Sequence, residues 1–450
     1  MRPITARLAA VCAAAGLALA TAPDAAAETK IPLPALVEDH HYRPVDRLEA
    51  EIGWRLFYDP ILSGNRNISC ATCHHPRFAT GDGLSLSMGE GGIGLGPERR
   101  ADPDNAPEQR VPRNAQALFN LGAHEFTVLF HDGRIEEDAT RTSGIRTPLG
   151  ADMEAGFATL LSAQTMFPVL SQDEMAGHTN ENDVSRAVRQ GRLTGPGGAW
   201  DIIAKRVAAI DTYQALFEAL DPQIKAGRPL AFTDISDAIA AFMELEWRSD
   251  DSLFDAFLRG EAALPEAAMD GLTLFYGKAG CAVCHAGPFQ TDHRFHAMGA
   301  PQIGPGKAAR FESHRRDEGR MEVTGKDGDA YAFRTPSLRN VLHTGPYGHA
   351  GAHSDLATFL RDHAAPTAGL KRYDRAGAVL PPQERADDFA PLDDGGREAI
   401  AAAITAPDRP LSEAEIAALV AFLDTLSDPV ALSGRLGIPE SVPSGLPVER

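Results

Sequence analysis

The sequence predicts a mainly α fold made of two copies of one module joined by long irregular loops. Three observations carry this: a C-x-x-C-H motif occurs twice, an amphipathic, helix-like stretch precedes each copy, and strand signals are few. Residues 48–57 lead to Cys70-Ala-Thr-Cys73-His74, and residues 267–277 lead to Cys281-Ala-Val-Cys284-His285. Between them, residues 234–257 place Ile235, Ile239, Phe242 and Leu245 at helical spacing, and residues 260–265 read as a linker. A closing helix is expected over 412–426, opened by the capping pattern Ser412-Glu-Ala-Glu415 and carrying Ile416, Leu419, Val420 and Leu423 on one face. Residues 89–112 and 300–328, rich in Gly, Pro and charge, are expected as loops.

Length and composition bound what these modules do. A chain of 450 residues, 43% hydrophobic and 23% charged, buries a sizeable core in two or three domains, which excludes collagen-like, disordered and multi-pass membrane classes. With 43 Lys and Arg against 62 Asp and Glu, the net charge of -19 argues against nucleic acid or an anionic membrane as partner. Arg2 and Arg7 precede an apolar stretch over 8–21 and then Ala25-Ala26-Ala27, the pattern of a secretory signal over 1–27, cleaved near Ala27. That stretch is shorter than the roughly 20 residues that span a bilayer. The mature protein is therefore expected to be soluble and exported.

Of the five Cys, Cys12 lies in the signal and the other four form the two motifs, leaving none for a separate disulfide. Two C-x-x-C-H units are best explained as covalent c-type haem sites: two thiols reach the two vinyl groups of one porphyrin while the adjacent His turns its imidazole to the iron. A zinc ribbon or a pair of disulfide-exchange motifs leaves unexplained why His follows directly both times. Cys70, Cys73, Cys281 and Cys284 are thus the expected attachment points, and His74 and His285 the iron ligands.

Further landmarks run along the chain in order. They are Leu56-Phe-Tyr-Asp-Pro60 and Leu62-Ser-Gly64; Arg113-Asn-Ala115, Phe119-Asn120 and Phe130-His-Asp-Gly-Arg134; Gly277-Lys-Ala-Gly280, Thr291-Asp292 and Phe295-His296; and Phe333-Arg-Thr-Pro-Ser-Leu-Arg-Asn340 with Gly345-Pro-Tyr347. With these the sequence resembles the bacterial di-haem cytochrome c peroxidases and MauG-type di-haem enzymes over nearly all of its mature length. The resemblance implies two cytochrome c-like domains, each with one covalently bound haem: residues 28–262 around a haem that meets peroxide, and residues 263–450 around a haem that passes electrons to it.

The family's Gln, Pro and Glu-Met series reappears as Gln164, Pro168 and Glu174-Met175, later than usual because residues 140–162 are interposed, read as a loop or short-helix insertion. Glu174 takes the general acid/base role and Gln164 that of a positioning partner. Three departures from the family stand out. Glu90 stands where a capping His is usual, which leaves the first haem open to peroxide; Met88 beside it reads as packing. His131 replaces the aromatic residue, usually Trp, between the haems, and Trp54, Trp200 and Trp247 are read as core. His363 stands where relatives place Met or Tyr, which makes the second haem bis-His through His285 and His363. A calcium ion held by Asn114, Thr344, Pro346 and water is a further implication. His75, His296 and His349 read as polar loop residues.

The expected function is that of a periplasmic di-haem peroxidase that reduces hydrogen peroxide to water. Its electron donor would be a small cytochrome c or a cupredoxin, a basic one being favoured by the acidic enzyme. A homodimer is in keeping with relatives. Two alternatives remain: a MauG-like enzyme oxidising residues of a partner protein, and a non-catalytic electron carrier.

Overall fold

The computed structural model describes Met1 and residues 32–305, 316–383 and 387–450. Apart from Met1, the expected signal over 1–27 lies outside the described residues, as do positions 306–315 of the expected loop over 300–328. The unit Leu33–Arg450 is mostly helical with few strands. Among the described residues no helix is long and apolar enough to cross a membrane.

Two helix pairs organise this unit. Arg47–Phe57 starts where the Asp46 carboxylate accepts the Glu49 amide at 3.0 Å, and it lays Ala50, Ile52, Leu56 and Phe57 against Phe232–Glu246. The two helices cross so closely at Gly53 that a Cβ there would stand 1.7 Å from the Ala238 carbonyl oxygen. Glu266–Tyr276 meets Glu413–Asp424 in the same way, with a Cβ on Gly271 falling 1.9 Å from the Ala418 oxygen. Each glycine opens a matching stretch, Gly53-Trp-Arg-Leu-Phe-Tyr58 and Gly271-Leu-Thr-Leu-Phe-Tyr276, so the module is repeated down to the residue that permits its helix crossing. The closing helix has the expected capping box, Ser412 Oγ accepting the Glu415 amide and the Glu415 carboxylate accepting the Ser412 amide.

Around the first pair Phe57, Phe242 and Trp247 form a buried triad with ring centroids 5.0–5.3 Å apart. Trp200 is buried too and donates its indole N–H to the Met166 carbonyl.

Four stretches differ from the sequence reading: the expected loop over 89–112 carries the strand pair Gly92–Ile93 and Arg100–Ala101, that over 300–328 carries the short helix Met321–Thr324, and two more depart as follows. The helical pattern over 234–257 is two helices, Phe232–Glu246 and Leu253–Leu258, because the amides of Asp250 and Asp251 bind the Asp428 carboxylate instead of continuing a helix. The insertion over 140–162 contains a strand, Ile145–Arg146, that completes a small antiparallel sheet with Val128–Leu129 and Ile135–Glu137. Its end forms the start of the helix Leu160–Thr165, capped by Thr159.

The segment over 434–450 returns to the first helix pair. Val442 is buried, and Leu436, Ile438, Leu446 and Val448 pack on the same core. Polar anchors fix its path: Trp54 Nε1 donates to the Gly437 carbonyl at 2.6 Å, the Glu246 carboxylate accepts the amides of Leu436 and Gly437, and Ser444 Oγ donates to Asp59 at 2.6 Å.

Candidate haem and peroxide sites

Both motifs sit at the end of a short helical turn, Cys70–Cys73 in the first and Cys281–Val283 in the second, and none of their four cysteines is in a disulfide. In each, the histidine is oriented by its inner ring nitrogen. His74 Nδ1 lies 2.9 Å from the Thr80 carbonyl oxygen, and His285 Nδ1 lies 3.1 Å from that of Gln290. A carbonyl only accepts, so Nδ1 carries the proton and Nε2 keeps its lone pair for a metal. Burial lowers the pKa of both imidazoles, which keeps them neutral and ready to ligate.

The second motif has a partner ring. His363, the last residue of the helix Leu356–His363, faces His285 with ring centroids 6.4 Å apart. Two metal–nitrogen bonds of about 2 Å each, added to the half-widths of two imidazoles, fill that interval. Phe359, one turn earlier, stacks on His363 at 5.1 Å and 18°. Burial, with His285 and His353 adding, pushes the His363 pKa down to about 4. The residues of this motif therefore fit a haem ligated from both sides.

The first motif is surrounded differently. Glu174 lies in the turn Gln172–Ala176, and its carboxylate acts with Asp82 and Glu449 to raise the Cys73 thiol pKa, after burial as the main cause. Gln164 is buried on Leu160–Thr165, with its side-chain oxygen lacking a protein partner. Glu90 is fixed in place: its carboxylate accepts from Asn65 and Asn67, each at 2.9 Å, and its amide donates to the Asp173 carbonyl. At Gly89 a Cβ would meet that same carbonyl at 2.1 Å, so the loop and the Glu174 turn touch backbone to backbone. Met88 is fully buried, as packing requires.

His131 stands in a field of positive charge. Burial, then Arg113, His349 and Arg334, hold it well below the ordinary imidazole value. Arg113 itself bridges Asp317 at 2.6 Å and Asp132 at 2.7 Å, and its guanidinium holds both carboxyls below the usual range despite burial. His349 stacks on Phe333 with centroids 3.7 Å apart, and burial pushes its pKa down to about 4. His75 and His349, expected as polar loop residues, are in fact 1% and 5% exposed. His296 is half-buried and pairs with Asp292 at 2.9 Å.

At the proposed calcium position, Asn114 Nδ2 donates to the Leu84 carbonyl at 2.7 Å and the Asn114 amide to that of His349, which brings Asn114 to the segment carrying Thr344 and Pro346. Among the described residues, Cys284, Asp292 and His296 place ligand atoms within 4.8 Å of one another, and Cys284 is also the second cysteine of the second motif.

Sequence reasoning missed Asp82, whose buried carboxyl is raised to about 6 by desolvation. It also missed Arg99 and Glu449, which meet beside the first motif. None of the three belongs to a motif or a periodic stretch.

Known proteins resemble this chain along much of its length. The family model for di-haem cytochrome c peroxidase matches residues 47–263. The chain is 29% identical to the methylamine utilization protein MauG of Methylorubrum extorquens over 78% of its own length and 79% of that protein. It is 28% identical to the cytochrome c551 peroxidase of Pseudomonas aeruginosa, over 71% and 72% of the two chains. A solved MauG-like protein associated with microbial copper homeostasis superposes with a TM-score of 0.55 at 26% identity, covering 91% of this chain and 97% of that one.

Proposed function

The chain belongs to the di-haem cytochrome c peroxidase family, and from that premise we propose that Cys70, Cys73 and His74 hold the haem at which peroxide is reduced, while Cys281, Cys284, His285 and His363 hold the haem that delivers electrons. The protein is an oxidoreductase that reduces hydrogen peroxide to water with electrons from a cytochrome donor. One observation supports this division of labour: an imidazole faces His285, whereas a carboxylate, Glu174, neighbours the first motif at Cys73.

When bound, haem iron supplies the path by which two electrons reach the O–O bond. The remaining work falls to the chain. Glu174 takes the proton from one peroxide oxygen and returns it to the other, so that this second oxygen leaves as water; the first becomes water once two electrons and two further protons have arrived. The unpartnered Gln164 Oε1 accepts the peroxide O–H and orients it. Thr80 holds His74 neutral and correctly turned through Nδ1. Asn114 Oδ1, with Nδ2 already used on Leu84, serves a calcium ion together with the carbonyls of Thr344 and Pro346 and water. The donor is a small, basic cytochrome c or cupredoxin in the periplasm, met by a homodimer of the exported chain.

A second reading, oxidation of residues on a partner protein, is favoured by the His at position 363 and by the likeness to MauG. Stopped-flow mixing with peroxide, with and without a reduced small cytochrome, separates the readings. Donor-dependent turnover supports the peroxidase; a long-lived oxidised state that ignores the donor supports the second reading; no reaction leaves only an electron carrier.

A further inference from the structure

The loop over 87–92, which touches the Glu174 turn, is held from its other side by one buried side chain. Arg99, 2% exposed, donates through Nε to the Met88 carbonyl at 2.5 Å, through Nη2 to that of Gly89 at 2.9 Å and through Nη1 to that of Gly94 at 2.5 Å. A Cβ on Gly92 would strike the guanidinium at 2.5 Å, so loop and arginine fit without spare room. These three acceptors are neutral, and a buried guanidinium also needs a counter-charge.

Glu449, from the returning segment over 434–450, meets that need. Its Oε1 lies 3.7 Å from Arg99 Nη1, while its Oε2 accepts the hydroxyl of Thr72, inside the first C-x-x-C-H motif. One carboxylate thus ties three parts of the chain: the motif helix, the arginine that grips the loop, and a segment anchored independently at Trp54, Asp59 and Glu246.

We propose that Glu449 is a positioning residue for the first haem site, fixing through Arg99 the distance between the motif and the loop over 87–92. It touches no substrate; it sets where the loop, with Glu90 and the adjoining Glu174 turn, stands relative to the haem held at Cys70 and Cys73. This rests on the reading that the first motif carries the peroxide-reducing haem.

The test uses the holoprotein and two independent readouts. Hydrogen exchange of the amides of Glu90, Gly92 and Asp102 reports the loop, since each is bonded in place. Cyanide binding to the fully oxidised protein, followed at the haem absorption band, reports the site. Glu449→Gln keeps shape and removes charge; it is expected to retain both haems, speed exchange at these amides about tenfold and change the cyanide-binding rate severalfold, with Glu449→Asp restoring part of both. Thr72→Val, which removes the hydroxyl holding Oε2, should act in the same direction more weakly and keeps the test usable where Glu449→Gln folds poorly. Unchanged exchange and cyanide binding in both variants would overturn the proposal. Wild-type protein that binds no cyanide would instead overturn the reading of the first haem as the reactive one, with the exchange result still deciding the role of Glu449.

Discussion

His285 and His363 present their rings to each other across 6.4 Å with planes inclined at 58°, at the level of a motif whose other flank is the Gln290 carbonyl. A thioether favours reduced iron and raises its potential, whereas a second neutral imidazole favours the ferric state. His363→Met is therefore expected to raise the potential of one haem only, and His363→Ala to remove a bis-imidazole paramagnetic resonance signal. A redox titration with resonance spectra checks both; wild-type spectra without that signal would place the sixth ligand elsewhere.

Glu174 is expected to carry the proton. Glu174→Gln should keep both haems yet slow peroxide cleavage by roughly 10² to 10⁴, the range for losing a positioned proton-transfer group. Gln164→Ala should cost less, since it removes orientation alone. Single-turnover mixing with peroxide measures both, and an unchanged rate in Glu174→Gln takes this residue out of the mechanism.

Covalent attachment at both motifs makes a simple count. Cys73→Ser and Cys284→Ser are each expected to lower the haem that survives denaturation from two to one per chain. Haem staining of denaturing gels with protein quantitation reads the ratio.

Asp82 gives a pH dependence of definite sign. Burial raises its carboxyl from 3.8 to about 6, so between those values the folded chain holds a proton that the unfolded chain has released. Stability from this group therefore falls as pH rises through the window, and above it the full penalty, roughly 3 kcal/mol, is present. Asp82→Asn keeps an acceptor for the Leu84 amide and should lose that slope, becoming the more stable form at pH 7. Urea unfolding of the holoprotein at pH 4.5 and 7 compares the two; equal slopes would mean that Asp82 ionises normally.

Much of this was legible because it is local or periodic. The motifs, the helices that precede them and the capping box at Ser412 are written within a few residues each. The repeated Gly-x-x-Leu-Phe-Tyr at 53 and 271 went unread in the sequence, and its glycines stand out only once the structure shows that they permit the helix crossings. What stayed hidden is long-range. Thr72 and Glu449 are 377 positions apart, and no pattern in the closing segment announces its return. Burial of His75 and His349 was equally silent, because both sit in irregular chain where no period separates inside from outside. The strand Ile145–Arg146 was missed since two residues carry no alternation to read.

The returning segment leaves the two motifs unequally dressed. Ala71 and Thr72, between the first pair of cysteines, are 1% exposed, while Val283, between the second pair, is 77% exposed. A redox partner diffusing up to the protein can therefore lay an apolar contact on the second motif and cannot reach the corresponding face of the first. On the proposed division of labour, that part of the molecule would have one terminal and one sealed junction: charge would be handed over where Val283 meets solvent, and the buried face of the first motif would receive its electrons from within the protein.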